Sequence, residues 1–125
     1  MYLHIVPTYA AALALLFALL SIYVIRGRGR YQVTIGADGA PDLERRIRVH
    51  ANFAEYVPFT LLLLTLTELR GAAAGWLHAM CLCLLAGRLL HAWGVSRPAE
   101  NLRFRQAGVA LTFTALIGAA ITLLV

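Results

Sequence analysis

Lysine is absent from this 125-residue sequence; all eleven basic residues are arginine. Charge of either sign is scarce, at 14% of residues where soluble domains carry about 25%. Apolar residues make up 61%, against the ~45–50% of a soluble domain. The scarcity of charge excludes an ordinary soluble domain, and the apolar excess excludes disorder. Cysteine is nearly absent. Cys81 and Cys83 form a C-x-C inside an apolar run, where a thiol behaves as a small hydrophobe. A metal or redox role needs more ligands, so no metal is expected. A net charge of +5 does not by itself make a nucleic-acid binder, because the placement of charge matters more than its sum.

What is present is a set of four apolar runs, at about 5–25, 51–69, 72–93 and 107–125. Each has roughly the ~20 residues a helix needs to cross a bilayer core. Unpaired backbone groups are costly in lipid, which makes all four helical. The predicted fold is an all-α membrane protein, a bundle of four transmembrane helices forming one domain over 1–125. The first run is not expected to be a signal peptide. Residues 1–4 hold no Arg or Lys, and the run is too long for an h-region.

Arginine placement predicts orientation. The first connection, 26–50, holds Arg26, Arg28, Arg30, Arg45, Arg46 and Arg48. The third, 94–106, holds Arg97, Arg103 and Arg105, and the second holds Arg70 alone. The positive-inside rule then puts connections one and three in the cytoplasm and both termini outside, as in a bacterial inner membrane. Arg26, Arg30, Arg45, Arg46 and Arg97 read as anchors to anionic membrane lipid. The second connection is short, so spans two and three form an antiparallel hairpin. Gly36, Asp38, Gly39 and Pro41 read as turns, and Asp42 as the N-cap of a second helix that begins near Leu43. Ala10, Ala14 and Ala18 form a small-residue ridge suited to close helix packing. Trp76 and Trp93 bracket the third span as interfacial anchors.

The second helix carries the informative stretch, Arg46 to Pro58. At ~100° per residue, Arg48, Asn52 and Glu55 fall within ~60° of arc, with Tyr56 ~40° beyond Asn52. His50 sits roughly opposite, ~200° from Arg48. Glu55 lies ~7 Å inside the span and Arg88 ~9 Å inside the third span from its facing end. An ionisable group at that depth needs a partner or a water-filled cavity, so Glu55 and Arg88 are expected to meet. The plainer reading is a buried ion pair that holds the bundle; the other is shared contact with a polar ligand. Pro58 removes one helical hydrogen bond and would widen the space beside Glu55. Arg88 and His91 share a face at i, i+3. Arginine forks bind carboxylates, and Glu55 with Asn52 suits an ammonium or amide. These residue types fit a small zwitterionic ligand with several carboxylates. Were it a thiol, a nearby arginine would favour the reactive thiolate.

The string R-I-R-x-H-x-N-x-x-E-Y-x-P, Arg46 to Pro58, resembles the second-helix signature of the MAPEG family, membrane-associated proteins in eicosanoid and glutathione metabolism. Gly87-Arg88-Leu89-Leu90-His91 resembles the family's G-R-x-x-H, and Asn101-Leu102-Arg103 precedes the fourth helix where the family carries an arginine. The resemblance covers nearly the whole chain and is nearest to the small bacterial branch. It implies a homotrimer with glutathione as co-substrate, bound between subunits near the cytoplasmic side. By this resemblance Arg48, Asn52, Glu55 and Tyr56 contact glutathione, His50 and Arg28 reach the neighbouring subunit's site, and Arg88 and His91 complete it. Arg103 is the thiol activator, with Arg105 the nearest substitute. Val95 stands where many members have a tyrosine near the thiol, and Gly29 where the leukotriene-forming branch has a second arginine. The implied function is a glutathione transferase or peroxidase acting on lipophilic electrophiles. A non-catalytic trimer binding glutathione or lipid is the alternative. A small multidrug exporter is disfavoured because the first span has no acidic residue.

Overall fold

The computed structural model describes residues 2–98 and 102–125. Asn101, part of the string before the fourth helix, lies outside the described residues. Four α-helices follow one another: α1 Val6–Tyr31, α2 Pro41–Leu69, α3 Ala74–Ser96 and α4 Leu102–Leu124. All four are long and apolar enough to cross a membrane. The described residues contain no strand. The chain is thus an all-α membrane protein built as a four-helix bundle.

The helices overrun the apolar runs at the arginine-rich end. α1 continues through Arg26, Arg28 and Arg30, and α4 begins before Arg103 and Arg105. Arginine is a good helix former, so loss of hydropathy does not end these helices. α1 stops where Gln32 turns left-handed at φ 54°, with Val33 N–H donating to Arg28 O at 3.1 Å. Gly36, Asp38 and Gly39 all take positive φ, as the turn reading of connection one requires.

Asp42 is not the N-cap of α2. That position belongs to Ala40, which has no capping side chain, while Pro41 fills the first turn. Asp42 instead accepts from the Tyr31 hydroxyl at 2.9 Å and from Arg46 Nε at 3.2 Å. Arg46 is correspondingly not a lipid anchor. It is buried, donates to Tyr23 O at 2.9 Å, and lies 3.9 Å from the Tyr23 ring centroid. Gly27 makes room for it, since a Cβ there would stand 2.9 Å from Arg46 Cδ.

α1 is capped in trans. Its own N-cap residue, Ile5, supplies no side-chain bond. The carboxylate of Glu68, at the far end of α2, accepts the backbone N–H groups of His4, Ile5 and Val6, each at 2.8 Å. Three orphan donors and the positive end of a helix dipole meet one buried carboxylate. α2 then closes at Gly71, φ 83°, where a tight turn leads into α3.

α2 touches all three other helices, whereas α1 and α4 do not meet. The tightest seam is α3 against α4, and glycine makes it. A Cβ at Gly87 would lie 2.8 Å from Gly108 O, and one at Gly108 would lie 2.6 Å from Gly87 O. Gly94 and Gly118 extend the seam against Phe104 and Met80. Close backbone approach through small residues drives helix association in lipid. The alanine ridge of α1 is not used this way inside the protomer, since Ala14 and Ala18 are exposed. Leu13, Leu20, Phe53, Val57, Leu64, Leu77, Leu84 and Ala115 fill the core, with Cys81 among them as a buried thiol. Buried Thr60, Thr67 and Thr112 donate to carbonyls one turn back, which gives each hydroxyl proton a partner within its own helix.

Candidate binding cleft at the arginine-rich end

Spacing along α2 brings Arg48, Asn52 and Glu55 to one face, as i, i+4 and i+7 must. That face meets the last turns of α3 and the first turns of α4. The resulting cleft is lined by Arg48, Ala51, Asn52, Glu55, His91, Val95 and Arg105. Its enclosed volume is only ≈ 30 Å³. A second cleft of ≈ 250 Å³ adjoins it through Arg48, Val95 and Arg105 and extends to Pro41, Glu44 and Arg45. Arg45, expected among the lipid anchors, donates to Val95 O at 3.1 Å and so ties α2 to the end of α3.

Arg88 lies behind this cleft rather than in it. It is 2% exposed. Its Nη2 donates to Asn52 Oδ1 at 2.7 Å, and its Nη1 to Thr112 Oγ1 at 3.3 Å. Nη2 also reaches His91 Nδ1 at 3.4 Å, and Phe53 presents its ring 5.8 Å away. Nε has no partner. The expected meeting of Glu55 with Arg88 does not occur. Asn52 takes the guanidinium, and Glu55, one helical turn on, faces outward and is exposed. The physical reason is rotation: the Gly87–Gly108 contact fixes the roll of α3, which aims Arg88 at Asn52.

The other expected site residues sit elsewhere in the protomer. His50 faces α1, with Nε2 3.0 Å from Ser21 Oγ and its ring stacked on Phe17 at 4.8 Å. Ser21 gives its proton to Phe17 O at 2.8 Å, so His50 Nε2–H is the donor to Ser21. The pair is therefore no nucleophile and base. Tyr56 packs its ring 5.4 Å from Phe113 of α4 and does not line the cleft. Arg28 donates to Gly36 O at 2.9 Å and shapes connection one, beside Gln32, Val33 and Thr34. Arg103 is exposed near the start of α4 and lines neither cleft, whereas Arg105 lines both. Sequence reasoning missed Thr112 as a buried partner of Arg88. It also missed Glu68, whose signal was an acidic residue at an otherwise apolar helix end.

Four helices long and apolar enough to cross a membrane, with a polar cleft lined by Arg48, Asn52, Glu55, His91 and Arg105 at one end of the bundle, define an integral membrane protein. The MAPEG family sequence model matches residues 6–125, and this chain belongs to that family. Among curated proteins it is similar to the inner membrane protein YecN of Escherichia coli (strain K12). The two are 37% identical over 109 residues, 87% of this chain and 82% of that protein. YecN of Escherichia coli O6:H1 (strain CFT073) matches equally, at 37% over the same shares of each chain.

Proposed function

We propose that this protein is a glutathione-binding membrane protein acting as a glutathione transferase or peroxidase on lipophilic electrophiles. The observation that carries the reading is the convergence of Arg48, Asn52, Glu55, His91 and Arg105 on one cleft in a chain of this family. The two guanidinium groups suit the ligand's carboxylates, and Glu55 suits its ammonium. Of the two candidate arginines, Arg105 lines the cleft, which favours it over Arg103 as the residue that would stabilise a thiolate. The thiol would give its proton to solvent, and the thiolate would form a carbon–sulfur bond as the electrophile's carbon–heteroatom bond breaks and the heteroatom leaves with the electron pair. With a hydroperoxide, the thiolate would instead cleave the O–O bond to release the alcohol, and a second glutathione would close the disulfide and release water.

The working unit is a homotrimer. The two adjoining clefts, of ≈ 30 and ≈ 250 Å³, are small for a tripeptide, since small-molecule pockets run to about 300–1,000 Å³. Glu55 is exposed on the protomer, and a carboxylate inside a bilayer belongs against protein or water. A neighbouring subunit laid over this face supports both needs. The name of the similar protein and the arginine asymmetry support an inner-membrane location with connections one and three in the cytoplasm.

Val95 carries the second reading, a trimer that binds glutathione without catalysis. It lines both clefts with an aliphatic side chain and offers no hydroxyl to the sulfur. Calorimetry of glutathione with the detergent-purified protein tests binding. Saturable binding that is lost in Arg48→Ala and Glu55→Gln supports both readings, and no binding to well-folded protein defeats both. Conjugation of a model electrophile then separates them.

A further inference from the structure

Arg88 is a buried cation with no carboxylate within 4 Å among the described residues. Its strongest bond, at 2.7 Å, goes to a neutral side chain, Asn52. Guanidinium has donors only, so the atom it meets must be the amide oxygen. This removes the ambiguity that usually attends an asparagine amide. Asn52 is half-buried and lines the cleft, and with Oδ1 engaged its Nδ2 group remains for whatever the cleft holds. His91 is constrained in the same way. Its Nδ1 can only accept from Arg88, which puts the ring proton on Nε2.

We propose that Arg88 is a positioning residue that fixes the polarity of the cleft wall: by engaging Asn52 Oδ1 it makes Asn52 a donor toward the ligand. Among the described residues, the wall of the smaller cleft then offers donors from Arg48, Asn52 and Arg105 and a carboxylate acceptor from Glu55. Such a wall accepts ligand carboxylates and peptide carbonyls and gives a place to a cation. Thr112 anchors the other arm of the guanidinium at 3.3 Å and is itself tied to Gly108 O. The α3–α4 seam therefore sets the orientation of a side chain on α2. The amide orientation stands on geometry alone, while its effect on ligand affinity rests on the glutathione reading.

The sequence has two asparagines, Asn52 and Asn101, so asparagine-selective 15N labelling gives two side-chain amide signals. Asn52→Asp assigns them by removing one. In the wild-type protein, without ligand, the Asn52 amide should be deshielded by the cation on its oxygen. Arg88→Met should move it toward the position of a solvated amide, and Arg88→Lys, which keeps a charged donor, should hold it nearer the wild-type position. An Asn52 signal unchanged in Arg88→Met overturns the proposal. In the second arm, Arg88→Met and Asn52→Ala should each weaken glutathione binding about tenfold, Arg88→Lys should weaken it less, and the Arg88→Met, Asn52→Ala double variant should be no weaker than the weaker single one. Additive losses overturn the positioning role. Should the wild-type protein fail to bind glutathione, the functional reading falls and the amide signals still decide this one.

Discussion

Glu68 shows how much one side chain can hold. Its carboxylate closes three backbone donors at the start of α1 from a position 62 to 64 residues away in sequence. Glu68→Gln keeps the shape but loses the charge and one acceptor oxygen. It should destabilise the protein by roughly 1.5–3 kcal/mol, the range for a hydrogen bond to a charged group. Thermal unfolding in detergent would read this as a lower Tm, and an unchanged Tm would mean that water replaces the clamp. The two arginines at the start of α4 should separate as cleanly. Arg105→Ala removes a cleft-lining guanidinium and should weaken glutathione binding by about ten- to a hundredfold, as loss of a charge-assisted bond implies. Arg103→Ala should change it little. Calorimetry on the two variants side by side decides, and the reverse ranking would restore Arg103.

At the scale of the helix, glycine divides into positions that carry packing and positions that do not. Gly108→Ala drives a Cβ to 2.6 Å from Gly87 O, backbone against backbone with no flexible atom to yield. Overpacking of this kind costs about 1–3 kcal/mol. Gly29, inside α1, has nothing within 4 Å of where its Cβ would be. Gly29→Ala should therefore stabilise the helix by about 0.5–1 kcal/mol. Opposite shifts in Tm from these two substitutions would confirm the division. The same scale explains what the sequence made legible. Hydropathy alone located all four helices, and spacing alone put Arg48, Asn52 and Glu55 on one face. Helix ends were misplaced because hydropathy marks lipid, whereas a helix continues through arginines that remain good helix formers. The partner of Arg88 was misjudged because depth is readable from a sequence and roll is not. Depth placed Glu55 and Arg88 level. The roll of α3, set by the Gly87–Gly108 contact, gave the guanidinium to Asn52. Arg46 and Arg45 looked like lipid anchors for a similar reason: nothing in a run of arginines says which side chain folds back onto Tyr23 O or Val95 O.

At the scale of the whole molecule, the polar cleft of the single chain is small and its Glu55 points outward. The reading of the cleft as shared between subunits predicts a native mass of three chains in mild detergent, measured by native mass spectrometry or light scattering. Glutathione affinity should fall away when detergent drives the assembly to single chains. A single chain that keeps full affinity would show that the cleft opens by itself. His50 and Arg28, which the single chain turns toward Ser21 and connection one, would have to leave these partners to reach a neighbouring subunit's site.

The glycine seam also decides which wall of the cleft can move. α3 and α4 touch backbone to backbone at Gly87 and Gly108, so His91, Val95 and Arg105 ride on one stiff jaw. The opposing jaw is α2, whose Pro58 cannot donate a hydrogen bond to Ala54 O and whose threonine hydroxyls bond only within their own helix. α2 is moored to α1 on both sides of Pro58, by Tyr31–Asp42, Arg46–Tyr23 O and His50–Ser21 before it and by the Glu68 clamp after it, so α1 and α2 make up the other jaw as a unit.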